Sequence, residues 1–507
     1  MKQYEMMELS FPCNPPETNW ADVRPVAVFT HDGKETKIEG FYAGNGQCKV
    51  RFLPMDAGHY DWKMGDETGS FDAEPATTHG PVHADGTAFR YADGTLFHPF
   101  GTTVYALISQ DDALIEQTMQ TLEKAPFNKI RMCVFPKHYD FNHNEPTYYA
   151  FEKNENGSWD PSRPVLAFWD ALDKHIQRLG SMGIQIDLIL FHPYDRWGFD
   201  GMGAEKDMIY LDYLLRRLSA WPHIWWSLAN EYELCKRTQE DWDNIERFIA
   251  ESDPYHHLLS CHNIFHIWDA RRPLTTHSSI QSKSFYLLKE IMDKTQKPVV
   301  LDECCYEGNL EHFWGCITAQ EMAARFWRCV STGAYCTHGE TFYSDDDILW
   351  WARGGRLKGE SPARIAFCRE IIESLPGHLE GEPTFMTRLL PLLTMTEEQR
   401  EDALRRADEK GAGFIIRAFL NAGEYTRDFA YAEYAWYGHI GDDVILHYYD
   451  NRPIGKETLR LPENKTYRIE LIDTWNMTRE TIATGASGNY VVELPSREWM
   501  AILATAE

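Results

Sequence analysis

Between Pro99 and Ser374 the chain alternates short apolar runs with amphipathic stretches, and it does so eight times. The strand-like runs are Pro99–Tyr105, Lys129–Val134, Gln185–Leu190, Ile224–Leu228, Leu258–Ser260, Leu274–Thr276, Pro298–Leu301 and Ala334–Thr337. Helix-like stretches fall between and after them: Asp111–Lys124, Pro164–Met182, Lys206–Ala220, Gln239–Ser252, Ser282–Thr295, Ala319–Thr332 and Pro362–Ser374. Runs that are apolar throughout, rather than alternating, belong to strands buried on both faces, as in a parallel sheet covered by helices. Eight such rounds have the rhythm and length of a (β/α)8 barrel, a fold of roughly 250 residues. The fifth and sixth strands are the shortest, and the connection between them is irregular.

The flanks read differently. Residues 8–75 are β-like, with Arg24–Thr30 and Gln47–Pro54 as strands and Ala57–Lys63 in a closing hairpin. Turns at His31-Asp32-Gly33 and Gly44-Asn45-Gly46 punctuate them. A linker rich in Pro, Thr, His and Gly follows, from about Ala73 to Gly86. From about Leu389 the tail reads as β-rich again, with strands at Asp443–Tyr449, Thr466–Asp473 and Tyr490–Leu494. The expected layout is an α/β protein: an N-terminal Ig-like β-sandwich over 1–80, a TIM barrel over 84–378 and a small C-terminal β-sandwich over 385–507.

Charge narrows the partners. Asp and Glu outnumber Lys and Arg by 77 to 50, a net charge of −27 that disfavours nucleic acid and anionic membranes. The longest apolar run, Ile184–Phe191, is far too short to span a bilayer. The N-terminus, MKQYEMMELSFPCNPPETNW, has no apolar core of a secretory signal. The 11 cysteines have no metal-type spacing, and Cys304 and Cys305 are adjacent, so a reducing cytoplasm is the expected compartment. Seventeen tryptophans suit either sugar-stacking faces or a Trp-rich core. Oligomeric state leaves no signature.

Reactive residues of a TIM barrel stand at the C-terminal ends of its strands. That rule selects His138 after strand 2, His192, Asp195 and Trp197 after strand 3, Asn230 and Glu231 after strand 4, and His262 after strand 5. It adds His277 after strand 6, Asp302 and Glu303 after strand 7, and His338 and Glu340 after strand 8. Glu231 and Glu303 end strongly apolar strands that lie roughly across the barrel mouth from one another. Retaining glycoside hydrolysis needs two carboxyls about 5–5.5 Å apart, one to protonate the leaving oxygen and one to attack. Glu233 competes with Glu231 but lacks the preceding Asn. Asp302 competes with Glu303.

Asn-Glu at the end of strand 4 with Glu at the end of strand 7 resembles clan A of the glycoside hydrolases. The resemblance implies Glu231 as acid/base, Glu303 as nucleophile, Asn230 as ligand of the substrate 2-hydroxyl, and Arg131 as the arginine that steadies the nucleophile. A closer likeness runs through FRYADGTLFHPFGTTVYAL, FHPYDRWGF and LIDTWNMT. These stretches resemble bacterial glycoside hydrolases with an N-terminal Ig-like domain, an apiosidase-like barrel and a C-terminal β-sandwich.

His192, Asp195, Trp197, His262, His277, Tyr306, His338 and Glu340 are the further candidate substrate ligands. Each has a plain alternative. A strand-end histidine is often a buried structural donor, Asp195 with Trp197 would equally pack a loop, and Glu340 would equally brace His338. The favoured mechanism is double displacement, with Glu303 ionised, Glu231 protonated, and neither metal nor organic cofactor. The partner is then a carbohydrate, small or oligomeric and cleaved from its end, through equatorial-type linkages. Two other readings compete: a metal-dependent barrel hydrolase, for which strand 1 (PFGTTVY) supplies no ligand, and a barrel that binds carbohydrate without turnover.

Overall fold

A computed structural model describes residues 1–346, 348–382, 389, 392–393, 395–422 and 436–507. Two compact units emerge: Met1–Lys283 with Ile291–Met322 and Tyr335–Arg369, and Ser284–Glu290 with Ala323–Ala334 and Glu370–Glu507.

The first unit opens with two antiparallel sheets. Met7–Pro12, Gln47–Phe52 and Phe41–Gly44 form one, and Lys34–Glu39, Val26–His31, Gly58–Met64 and Glu67–Ala73 form the other. Ala27 and Phe29 point inward along the alternating Val26–His31 strand, and Phe29 stacks on Phe52 at 4.0 Å. Cys13 and Cys48 are joined by a disulfide, so not every cysteine is free. The module docks on the barrel helices through Arg51, whose guanidinium makes a two-pronged contact with Asp173 at 2.6 and 2.9 Å. The same side chain donates to the Arg217 carbonyl at 2.8 Å.

Eight parallel strands follow: Phe100–Thr103, Lys129–Cys133, Gln185–Phe191, Ile224–Ala229, Leu259–Ser260, Ser278–Gln281, Val299–Glu303 and Tyr335–His338. Numbered along the chain, they pair in the order 5-4-3-2-1-8-7-6. A single bridge, His262 with Ser279, spans the remaining seam between strands 5 and 6. The helices lie outside, and their buried faces (Trp169, Tyr210, Tyr213, Trp242) pack against the outward residues of the strands. Starts are well capped where the sequence supplies a cap: Asp111 holds the Leu114 N–H, and Thr238 with Asp241 forms a capping box.

The sequence misplaces strand 6. Leu274–Thr276 is not a strand, and the sixth strand lies four residues later, at Ser278–Gln281. Ahead of strand 1, a small sheet (Val82–Asp85, Ala88–Tyr91, Leu96–Phe97) plugs the N-terminal end of the barrel. Phe89 and Phe97 from this plug pack on Trp225 and Tyr335.

In the second unit the tail is not β-rich from Leu389, as its pattern suggests. Helices Glu397–Glu409 and Gly413–Asn421 come first, the former opened by a Thr396–Gln399 capping box. Glu380–Gly381 and five antiparallel strands from Trp436 onward build a sheet of six, with a smaller pair, Lys456–Arg460 and Asn489–Glu493, over a core that includes Tyr449, Tyr467, Ile469 and Ile502. Among the described residues no helix is long and apolar enough to cross a membrane.

Candidate active site

The barrel interior is layered. Its floor holds Trp225 and His277 against the plug, with His277 edge-on to Phe89 and Trp225 at 5.4 Å each. His277 therefore stands at the start of strand 6, at the end opposite the mouth, and is not a substrate ligand. Above it lie four fully buried charges. Lys129 Nζ donates to Asp302 at 2.7 Å and Asp187 at 3.0 Å. Arg131 Nε donates to Asp187 at 3.2 Å. Ser279 and Thr337 also donate to Asp302, at 2.6 and 2.7 Å. Burial pushes the Asp302 carboxyl up, but the charges of Lys129 and Arg131 outweigh it and hold Asp302 well below the usual carboxylate range. Asp302 is thus an internal counter-ion, and Glu303, one residue on, carries the side chain at the mouth.

Glu303 receives the Tyr105 hydroxyl and faces Arg131 Nη1 at 4.0 Å. Tyr105 ties the group together: its single hydroxyl proton lies between Glu303 and Asn230 Oδ1, the latter at 2.8 Å, and its oxygen accepts from Arg131 Nη1 at 3.2 Å. Glu231 adopts a left-handed backbone (φ 53°), an uncommon conformation for a residue with a side chain and one that recurs at functional sites. Its carboxyl accepts from the Tyr194 hydroxyl. Burial first, and the charge of Glu303 second, push the Glu231 carboxyl up to about 7.

Gln281 ends strand 6 between the two acids. In the amide orientation that satisfies its surroundings, its NH2 donates to Glu303 Oε2 and to Glu231 Oε1, at 3.2 Å each. Those two oxygens are therefore no farther apart than twice 3.2 Å. Asn263 fixes the Gln281 backbone, accepting its N–H at 3.1 Å and donating to its carbonyl at 3.4 Å.

The other candidates separate on inspection. Asp195 spends its carboxylate on the N–H groups of Trp197, Gly198 and Asp200, at 2.7–3.0 Å, and so braces its own loop. Glu233 does the same for Ile264 and Phe265. Trp197 lies on the strand-3 loop, donating to Glu145 at 2.9 Å with the Arg196 guanidinium 4.9 Å above its ring. His192 is buried behind the mouth with Nε2 on the Phe135 carbonyl at 3.2 Å, and burial pushes its ring down to about 3. His262 is fully buried inside the barrel beside the Arg131–Asp302 charges. Tyr306 is buried next to Glu303, whose charge raises its hydroxyl further above an already burial-raised value.

His338 points the wrong way to meet substrate. Thr337 reaches inward to Asp302, so the next residue on the strand points outward. There His338 meets Thr102 Oγ1 at 3.1 Å and stacks on Phe127 at 4.9 Å. Glu340 is spent on the N–H groups of Lys358 and Gly359 at 2.7 and 2.8 Å, and Glu307 on those of Glu360 and Ser361 at 2.8 and 3.2 Å. Among the described residues Glu307, His338 and Glu340 are the group whose ligand-type atoms lie within 4.8 Å of one another. The two carboxylates already hold a loop and a helix start.

Four residues at the mouth escape the sequence reading: Tyr105, Lys137, Tyr194 and Gln281. Lys137 follows strand 2 and is buried, with Nζ 3.4 Å from the Tyr105 ring centroid and 4.4 Å from that of Tyr194.

A TIM barrel with two buried acids facing across its mouth defines a hydrolase-type site, and the family comparison agrees in kind. Residues 83–374 match the family described as apiosidase-like, catalytic domain, and the chain belongs to that family. Residues 1–67 and 434–505 each match a domain of unknown function. A candidate glycoside hydrolase from Bacteroides vulgatus is 31% identical over 100% of this chain and 99% of its own, with a TM-score of 0.84. A family 5 glycoside hydrolase from the same species shares the fold at 15% identity and a TM-score of 0.59, covering 84% of this chain and 94% of its own. No curated protein matches.

Proposed function

We propose that the chain is a retaining glycoside hydrolase in which Glu303 is the nucleophile and Glu231 the general acid and base. The observation that carries this reading is the shared amide of Gln281, 3.2 Å from an oxygen of each acid. That upper bound accommodates the about 5–5.5 Å separation of retaining enzymes. The 31% identical relative, itself named for glycoside hydrolysis, supports the reaction class.

In this reading Glu303, supplied with donors by Tyr105, Gln281 and nearby Arg131, attacks the anomeric carbon. Glu231, raised to about 7, gives its proton to the departing oxygen. The glycosyl-enzyme removes the charge at Glu303, which was one cause of the raised Glu231 value, so Glu231 then ionises more readily and can serve as the base toward water. Asn230, held by Tyr105, is placed to meet the 2-hydroxyl with its free amide nitrogen. Both acids are about 95% buried, which favours a closed pocket that accepts a chain end over a long groove. We extend the proposal to clan A membership, to exo-action on small glycosides or oligosaccharides, and to a cytoplasmic setting; the Cys13–Cys48 pair makes an oxidising compartment the rival to be tested.

The test is stereochemical. Proton NMR of the first sugar released from a hydrolysed glycoside should give the anomer of the substrate. Release of the opposite anomer would replace the nucleophile by a water and overturn the mechanism.

A further inference from the structure

The wall beside the two acids is built from donors that have nothing to donate to. Lys137 is 3% exposed, and among the described residues its Nζ meets no carboxylate and no hydrogen-bond acceptor. Three tyrosine rings surround it, those of Tyr105, Tyr194 and Tyr139 at 3.4, 4.4 and 5.1 Å from ring centroid to Nζ. Ring faces stabilise an ammonium but accept none of its three N–H bonds in the way an oxygen does. Tyr139 Oη and Trp351 Nε1 are likewise buried without a partner. These groups form one surface: Trp351 packs on Tyr139 at 5.1 Å and on Tyr306 at 5.3 Å. Two of the rings that surround Lys137 belong to the tyrosines that donate to Glu303 and Glu231.

A buried charge without a partner is costly, and so is each unmet donor. Lysine and tryptophan offer donors only, so the ligand that answers this wall brings acceptors. A neutral sugar hydroxyl would meet one N–H and leave the ammonium balanced only by the more distant charges of Glu231 and Glu303. A carboxylate meets several donors and carries the opposite charge. The need is sharpest in the glycosyl-enzyme, where Glu303 has lost its charge while Lys137 and Arg131 keep theirs.

We propose that Lys137, with Tyr139 and Trp351 beside it, binds the carboxylate of a uronic acid, so that the enzyme acts on glycosides of hexuronic acids in preference to neutral hexosides. The proposal rests on the glycosidase reading and specifies its substrate class.

Two measurements on the full chain test it. The first compares aryl β-glucuronide and β-galacturonide with aryl β-glucoside and β-galactoside, for wild type, Glu303→Gln, Lys137→Met and Lys137→Arg. The expected result is a preference for the uronide of about 100-fold in kcat/KM, lost in Lys137→Met, largely through KM, and partly kept in Lys137→Arg, the scale of one charge-assisted contact. Faster hydrolysis of the neutral partner, abolished by Glu303→Gln, would overturn the carboxylate proposal and leave the glycosidase standing. Hydrolysis that survives Glu303→Gln would strike the glycosidase reading instead. The second measurement needs no turnover: calorimetric titration of glucuronate and galacturonate beside glucose and galactose. Tighter binding of either uronate, weakened by Lys137→Met, supports the assignment; equal or weaker binding of both overturns it.

Discussion

Glu231 and Glu303 meet across one amide, that of Gln281, which lies 3.2 Å from an oxygen of each. Residues on strand 4 and strand 7 are thereby spaced by a third residue on strand 6. The amide donates to both acids at once and separates two carboxyls that would otherwise repel. Gln281→Leu removes the donor and nearly keeps the volume, so kcat should fall about 10- to 100-fold with the fold intact, the scale of one lost preorganised donor. Steady-state kinetics beside a thermal melt check this. An unchanged kcat would leave Gln281 without the spacing role.

The alkaline limb of the pH profile is predicted from Glu231. Its carboxyl is pushed up to about 7 by burial and by the charge of Glu303, and it is needed with its proton on. Activity should therefore decline as pH rises through about 7. Glu231→Gln should remove that limb and lower kcat/KM by about 10²–10⁴-fold on substrates with poor leaving groups, and far less on activated aryl glycosides. A pH profile with each substrate type distinguishes this from a general loss of structure. A limb that persists in Glu231→Gln belongs to another group.

A titration of Glu231 in the Glu303→Gln protein addresses the cause of the shift. Glu303 is the second contributor after burial, so removing its charge should let Glu231 ionise at a lower pH. Carbon-detected NMR of labelled glutamate reads this directly. A Glu231 value that does not move would assign the whole shift to burial.

Much of this molecule is legible in its sequence, for identifiable reasons. Seven of the eight barrel strands announce themselves because their helix-covered faces are apolar, and Gln239–Ser252 is read to the residue from its amphipathic pattern. Strand 6 fails because Ser278-Ser279-Ile280-Gln281 is polar. Ser279 faces the internal ion cluster, where it meets Asp302, so burial there does not select an apolar residue. That single slip places His277 at the mouth and hides Gln281. Glu231, Glu303, Asn230 and Arg131 are legible because the strand-end rule and the Asn-Glu motif agree. Lys137 and the tyrosines escape, since a lysine between Pro136 and His138 carries no signal until its surroundings remove every acceptor. Asp195, His338 and Glu340 mislead because strand-end position does not say which way a side chain turns.

The ion cluster inside the barrel is predicted to act on stability. Arg131→Met leaves Asp187 and Glu303 short of a buried cation and should cost about 3–5 kcal/mol, the penalty of breaking a buried pair from one side. Denaturant unfolding checks this. A variant as stable as wild type would mean that Lys129 alone neutralises the cluster.

The Cys13–Cys48 bond is open to a similar measurement. Cys13→Ser with Cys48→Ser should lower stability of the N-terminal module by about 2–4 kcal/mol under oxidising conditions and by nothing under reducing ones. Mass analysis of protein taken from its native host without reductant would report whether the bond forms there. A free thiol pair fits the cytoplasmic setting and a formed bond contradicts it.

The central claim is that Glu303 attacks sugar. Wild type and Glu303→Gln should be compared on aryl glycosides spanning neutral hexosides, pentosides, furanosides and uronides. The account predicts turnover of at least one member by wild type, lower by about 10³-fold or more in Glu303→Gln, as expected when a covalent nucleophile is removed. Turnover that Glu303→Gln retains would contradict it.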